Sequence, residues 1–320
     1  MERKIIAVVG ATGAQGGGLV RAILADPNGG FAVRALTRDI NSPKARQLAR
    51  LGAEVVAADV DDEASMRQAF AGAYGAYCVT FFWDHFSPER EQKEARIMAA
   101  AARAAGLKHV VWSTLEDTRK WVPLSDSSMP TLGGRYKVPH FDGKGEIDHV
   151  FADLGVPTTY LLTSFYWDNL IHFGMGPTRG ADGRLAFTLP MDDRALPGIA
   201  ASDIGACAYG IFKGGAEFIG KTVGIAGEHL TGAQMAAALG RALGEEVVHN
   251  AMQPDAYRKL GFPGADDLGN MFQVKRDFNE EFRRPRSVGF SRQLNPALQS
   301  FDQWLAANRG RIPVPARKAA

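Results

Sequence analysis

Seven residues near the start of the chain, Gly10-Ala11-Thr12-Gly13-Ala14-Gln15-Gly16, follow a short apolar run and open a helical one. That pattern suits phosphate chemistry. Glycines let the backbone approach a pyrophosphate, and a helix N-terminus offers unpaired N–H groups at the positive end of its dipole. The spacing G-x-x-G-x-x-G is a variant of the dinucleotide fingerprint, strengthened by its strand–turn–helix setting. The plain alternative is a tight βα turn with no ligand. The second strand ends Leu36-Thr37-Arg38. An acidic residue there accepts from a ribose 2′-hydroxyl, whereas a guanidinium pairs with a 2′-phosphate. Arg38 therefore favours NADP(H), with Lys44 one turn on. A merely solvated Arg38 and a ribose-binding Asp39 are the open alternatives. Asp59, with Val60, ends the third strand, where a carboxylate would meet an adenine edge or cap the next helix. Thr80-Phe81-Phe82-Trp83 ends the fourth, on the carboxyl edge where α/β sheets bind ligands. Some of those aromatics read equally well as core.

Carbonyl reduction of the short-chain dehydrogenase kind uses a tyrosine acid, a lysine four residues later and a serine after the fifth strand. Ser113 is in place for the serine. The lysine has a counterpart in Lys144, but His140 stands four residues before it. Lysine beside a phenol lowers a pKa of about 10 toward neutrality. An imidazole shuttles protons by another route, so Lys144, His140 and Ser113 are the candidate catalytic set without the usual tyrosine. Lys144 also suits donation to the nicotinamide ribose hydroxyls. The histidines lack ligand spacing, and no metal is expected.

Positioning these residues requires a parallel, doubly wound α/β sheet. Ile5–Val9, Ala32–Leu36, Glu54–Ala57, Ala76–Val79, His109–Ser113 and Thr158–Leu162 are near-continuous apolar runs, as strands buried on both faces should be. Helical stretches separate them: Gly17–Leu24, Pro43–Leu51, Glu63–Phe70, Pro88–Ala105 and Asp142–Leu154. Ser42-Pro43 and Ser87-Pro88 are cap-then-proline helix starts. A Rossmann-type core over 1–165 is expected, then a smaller helix-rich α/β lobe over 166–310, interleaved with the core, and a mobile tail over 311–320. In the lobe, Lys221–Ile225 reads as a strand, and Ser202–Phe212, Thr231–Leu243, Pro254–Lys259, Asp266–Phe272 and Asn295–Asn308 read as helices.

Composition narrows the function classes. The 320 residues carry 37 basic and 35 acidic side chains, a net charge of +2, which leaves no general excess for nucleic acid. Lys275-Arg276 and Arg283-Arg284-Pro285-Arg286 read as a solvated basic face. No apolar run reaches the roughly 20 residues that span a bilayer, and Met1–Val9 reads as a first strand rather than a signal peptide. Two cysteines, Cys78 and Cys207, read as core thiols in a reducing, cytoplasmic setting.

The chain resembles the NmrA-like family of atypical short-chain dehydrogenases, closest to its NADPH-sensing branch. The likeness rests on Gly10–Gly18, Thr37-Arg38, Ala58-Asp59, Val79–Phe82, His140–Glu146 and the distal segment Lys259–Phe272. The loop 120–138 departs from it. The resemblance implies NADP(H) contacts from Gly10–Gly16, Arg38, Asp59, Val60, Thr80–Phe82, Lys93, Lys144 and Thr163-Ser164-Phe165-Tyr166. It further implies a redox sensor that switches a homodimer or a regulatory protein partner. The alternative is an NADPH-dependent oxidoreductase on a small or aromatic substrate, bound near Phe81, Phe82, Trp83, Phe165, Tyr166 and Trp167.

Overall fold

A computed structural model gives residues 3–316. Its strands are β1 (Lys4–Val8), β2 (Phe31–Thr37), β3 (Glu54–Ala57), β4 (Gly75–Cys78), β5 (His109–Thr114), β6 (Thr158–Leu162), β7 (Phe165–Tyr166), β8 (Thr178–Arg179), β9 (Leu185–Thr188), β10 (Leu196–Ile199), β11 (Thr222–Gly224), β12 (Glu228–Leu230) and β13 (Val247–Asn250). Seven of them form one wholly parallel sheet in the order 3-2-1-4-5-6-11. Every residue of β4 and β5 is buried, because helices cover both faces. This is the Rossmann-type sheet that the apolar runs imply. Its seventh strand comes from the lobe sequence: the run read at Lys221–Ile225 pairs with β6 and closes the sheet edge.

The helices are α1 (Ala14–Leu24), α2 (Pro43–Arg50), α3 (Glu63–Phe70), α4 (Phe82–His85), α5 (Pro88–Ala105), α6 (Pro139–Ile147), α7 (His149–Asp153), α8 (Asn169–His172), α9 (Ala201–Gly214), α10 (Gly232–Leu243), α11 (Pro254–Arg258), α12 (Ala265–Asp277), α13 (Asn279–Arg283), α14 (Val288–Leu294) and α15 (Phe301–Asn308). Ser42 and Ser87 accept from the N–H groups of Ala45 and Arg90, with proline in each first turn. Asp62 caps α3 by accepting from Ala64 and Ser65, so the carboxylate of Asp59 is released from that duty.

Two apolar cores interleave along the chain. One surrounds the parallel sheet and takes in Ile204, Ile211 and Leu298 from the C-terminal half. The other joins Val122, Phe141, Phe165 and Trp167 to Leu185, Leu239, Phe272 and Trp304 under two three-stranded sheets, β12-β10-β7 and β13-β9-β8. A bidentate ion pair spans them. Arg286, fully buried, donates to both oxygens of Glu116 at 2.6 and 2.9 Å and to the carbonyl of Thr163 at 2.8 Å. The planar fork of a guanidinium suits such a pairing.

Several sequence expectations are corrected. The basic cluster is only in part a solvated face: Arg284 is exposed, but Arg286 is engaged as above and Lys275 lies among Phe141, Phe272 and Phe282, where burial pushes its ammonium down to about 7. The helix read at Asn295–Asn308 begins only at Phe301, because Ser300 and Gln303 form a capping box there. The helix read at Asp142–Leu154 starts at Pro139 and divides at Asp148 into α6 and α7. In the tail, residues 311 and 313–316 are exposed. Ile312 is buried, and Arg179 donates to the carbonyl of Pro315 at 3.0 Å. Residues 317–320 lie outside the described residues. Among the described residues, no helix is long and apolar enough to cross a membrane.

Helix α1, which begins at the glycine turn, is held by α9 at glycine-to-glycine distance. A Cβ on Gly205 would fall 1.9 Å from the amide nitrogen of Leu19, and one on Gly18 would fall 2.5 Å from the carbonyl of Ser202. Both clashes are with backbone, so no side-chain rotation relieves them. Gly205→Ala should therefore cost roughly 1–3 kcal/mol in urea unfolding; an unchanged midpoint would contradict the close packing.

Candidate functional site

The carboxyl ends of β1, β2, β3 and β4 enclose a cavity of about 300 Å³. Gly10, Thr12 and Gly13 form one wall, Arg38, Asp39 and Ser42 a second, and Asp59, Val60 and Asp61 a third, with Phe81 across them. Gly10 has a φ of 66°, and a Cβ there would meet the Phe81 ring at 3.1 Å. A Cβ on Gly16 would meet the carbonyl oxygen of Gly10 at 2.5 Å. The turn is thus a cradle that side chains would fill, and no side chain caps α1 at Gly13. Its first-turn N–H groups remain for an anion. The residues present therefore fit the pyrophosphate of a dinucleotide.

Arg38 is 70% exposed, and Asp84 accepts from its Nη2 at 3.3 Å. On the far side Arg90 donates to Asp61 at 2.6 Å. Lys93 projects into solvent and reaches Asp61 at 3.5 Å, away from the cavity wall.

Helix α6 carries the residues expected to do chemistry. Gly143 lets it touch α5, since a Cβ there would meet Pro88 Cβ at 2.9 Å. That contact brings Lys144 to Glu91: Nζ is 3.0 Å from Oε1 of a carboxylate with no solvent exposure. Thr80 Oγ1 accepts from Lys144 Nζ and donates to the same Glu91 oxygen at 2.6 Å. His140, one turn earlier, faces the lobe. Its Nδ1 meets Asp267 Oδ1 at 2.6 Å, and its backbone N–H donates to Oδ2 at 3.2 Å. The rings of Trp83, Phe82 and Phe141 surround the imidazole at 4.9, 5.7 and 4.8 Å.

Gln15 gathers a second network. Its carboxamide oxygen accepts from Tyr77 and, at 2.8 Å, from Ser113, while its nitrogen donates to Tyr166 Oη at 2.5 Å. Thr163 lies 3.4 Å from the same phenol. Burial pushes the Tyr166 phenol up to about 12, away from a usable acid. Tyr136 donates to Glu89 at 2.9 Å, and burial raises it too.

The structure thus gathers Gly10, Thr12, Gly13, Arg38, Asp59, Val60 and Phe81 at one cavity. Ala11 is buried and donates to Leu36 O, and Ala14 is exposed at the first position of α1. Lys144, Thr80 and Glu91 form a separate cluster, and Gln15, Ser113 and Tyr166 another. It does not bring Ser164 or Phe165 to the cavity. Ser164 donates to the carbonyl of Ile225 at 2.6 Å, and Phe165 belongs to the lobe core. Trp167 packs on Phe301 and Trp304 rather than lining a cleft. Sequence reasoning missed Glu91 and Glu94. Their positions, in phase with Ala95 and Met98 on the buried face of α5, were a readable signal. Asp84, His85, Arg90 and Asp267 carried no comparable pattern.

Comparison with known proteins places this geometry. The NmrA-like family matches residues 2–301. The chain belongs to that family. Among curated NmrA-like proteins, it is 32% identical to the oxidoreductase himF of Aspergillus japonicus, over 65% of this chain and 64% of that one. It is 28% identical to the oxidoreductase ptmS of Penicillium ochrochloron, over 84% and 83% respectively. The solved structure of NmrA, a negative transcriptional regulator, in complex with NADP superposes with a TM-score of 0.78 at 23% identity, covering 96% of this chain and 95% of that one. The likeness at that identity supports the shared fold.

The Lys144–Glu91 contact gives this NmrA-like chain a test of its architecture. Removing one member of a buried pair leaves the other charge uncompensated, whereas replacing both with apolar groups is often neutral. Glu91→Leu should cost about 3–5 kcal/mol in urea unfolding, and adding Lys144→Met should restore most of it. Strictly additive losses would show that the two groups are not coupled.

Proposed function

We propose that this protein binds NADP(H) in the cavity and acts as a redox-responsive regulator, without tyrosine-based carbonyl reduction. The observation that carries this reading is the His140–Asp267 pair. The residue standing four before the lysine is spent on fastening core to lobe, and Ser113 is spent on Gln15. Bound NADP(H) supplies a hydride-carrying nicotinamide whose oxidation state can be read. The amides at Gly13–Gln15 would hold the pyrophosphate, Arg38 the 2′-phosphate, and Asp59 with Val60 the adenosine end. Lys144 and Thr80 would meet the nicotinamide ribose.

Lys144 and His140 share one helix, so a ligand that draws on the Lys144 ammonium also loads the contact with α12. A nucleotide form that favours one arrangement of that contact shifts the population toward it. A second copy of the chain or a regulatory protein partner would read the shift. The two buried, unpaired cysteines support a cytoplasmic setting.

A second reading, an NADPH-dependent oxidoreductase on a small or aromatic substrate, is favoured by one observation. Lys144 retains a positioned ammonium beside the aromatic elbow Phe81-Phe82-Trp83, and curated relatives carry the name oxidoreductase. Titrating NADPH and NADP into the protein while following its mass by sedimentation separates the two. A change of association between the two forms supports the regulator. Steady NADPH oxidation with a carbonyl or quinone panel, lost in Lys144→Ala, supports the oxidoreductase instead.

Cofactor choice has its own measurement. Arg38→Ala should weaken NADPH at least tenfold and NADH hardly at all, since only the former presents a 2′-phosphate. Asp84→Asn, which frees Arg38, should tighten NADPH. Equal losses for both cofactors in the arginine variant would remove the phosphate assignment.

A further inference from the structure

One ammonium in the lobe is buried without an anion. Lys275, on α12, is 4% exposed, and among the described residues its side chain's only hydrogen-bond partner is the thioether of Met271 at 3.1 Å. A thioether is a weak acceptor, while an ammonium carries three donors. The rings of Phe141 on α6, Phe272 on α12 and Phe282 on α13 lie 5.3, 6.0 and 5.1 Å from Nζ. Those distances approach the outer limit of about 6 Å for cation attraction. The Phe282 face is also taken by the Arg286 guanidinium, 3.7 Å from its centroid. Such weak contacts do not replace the water that a buried ammonium gives up.

The charged groups around it are committed elsewhere. Glu116, between β5 and α6, pairs with Arg286. On α6, His140 meets Asp267, Asp142 accepts from backbone N–H groups, and Lys144 pairs with Glu91. Arg276, next on α12, pairs with Asp192 and Asp277, and Lys137 in the adjoining loop donates to backbone carbonyls. Glu280 and Glu281 on α13 are exposed. Arg283 on α13 and the Arg286 carbonyl hold His229 of β12, an imidazole that burial lowers out of the range in which lysines titrate. Burial first, and then Arg286, hold Lys275 down to about 7, and Glu116 draws it only partly back. An exposed lysine titrates near about 10.4.

We propose that Lys275 is a pH-sensitive latch on the packing of α12 and α13 against α6. As a neutral amine it stays among the three rings. With a proton it is driven toward water, and a minor open form, in which α12 has parted from α6, gains population. Asp267 leaves His140 in that form, so the junction of core and lobe loosens with it. Closing the latch releases one proton to solvent between about pH 7 and 10, because the open form binds more protons there. The stabilisation is therefore complete above about pH 10, is lost as the pH falls toward 7, and changes no further below that. The latch needs no ligand and is independent of the dinucleotide reading.

The test is hydrogen exchange of the full chain at pH 7, 8 and 9, read by mass spectrometry and corrected for the intrinsic exchange rate. In the wild-type protein, peptides from α12, α13 and α6 should lose protection roughly fivefold to tenfold for each unit of falling pH. Lys275→Met, close in length and without a charge, should be better protected at pH 7 and should show no such slope. A second measurement needs no variant. In the chain labelled with carbon-13 lysine, the side chain whose methylene protons show Overhauser contacts to Phe141 and Phe282 should titrate near about 7, several units below an exposed lysine. A slope unchanged in Lys275→Met, or a Lys275 that titrates near about 10 in the folded chain, would overturn the latch. Equal losses of protection in β4 and β5 would overturn it too, since they would mark unfolding of the whole chain rather than release of α12.

Discussion

Helix α6 is fixed from three directions by buried carboxylates, and the placement of Lys144 and His140 follows from that. Asp142, within its first turn, accepts from the backbone N–H groups of Thr118, Lys137 and Val138 and from the Thr118 hydroxyl, at 2.6 to 3.0 Å. Glu91 takes Lys144 from the α5 side, and Asp267 takes His140 from the lobe. Two glycines make the approach possible. Gly143 meets α5, and a Cβ on Gly145 would sit 2.3 Å from the amide nitrogen of Asp117. Glycine in a helix interior costs roughly 1 kcal/mol, a penalty that the three buried carboxylate contacts offset.

The same arrangement gives the histidine a physical meaning. A tyrosine at position 140 would present a phenol with no Nδ1 for Asp267, so core and lobe would lose a buried hydrogen bond at their junction. The long loop 120–138 is drawn into that junction. Asn270 on α12 donates to the carbonyls of Pro130 and Lys137, and Lys137 donates to those of Asp126 and Met129. Histidine, loop and distal helix are therefore one structural unit. The sequence segment 259–272, far from the nucleotide fold, matters because it supplies Asp267 and Asn270.

What was legible in the sequence tracks which forces dominate locally. Strands β1, β2, β4, β5 and β6 are apolar because most of their residues are buried, and α2, α3 and α5 start at serine and aspartate caps, so pattern and capping sufficed there. Helix α6 was readable only in part: His140-Phe-Asp-Gly-Lys144 shows no amphipathic face, because polar contacts rather than apolar burial hold it. Its two interior glycines were the available sign of close packing. The lobe's strands run two to four residues, too short for a period to emerge. Arg286 was misread because a buried guanidinium depends on a carboxylate 170 residues away, and no local pattern reports that. Within the cavity, the glycine turn and Arg38 were visible as motifs, while Asp84, His85 and Arg90 arrive through the fold of the elbow after β4.

The near-neutral whole chain conceals a strongly patterned cavity. Asp39, Asp59, Asp61, Asp84 and Glu94 face it against Arg38 and Arg90. An anionic nucleotide can enter such a place only where carboxylates are already neutralised or turned aside. Arg90 engages Asp61 at one end, and the α1 N-terminus presents its dipole at the middle. At Arg38 the balance is finer, because its guanidinium is paired with Asp84 in an exposed, weakly held contact. Exposed pairs of this kind exchange partners at little cost, whereas the buried Glu91–Lys144 and Asp267–His140 contacts do not. The contact at the rim can therefore change with a single exposed carboxylate, while the helix that carries Lys144 and His140 is held by buried pairs.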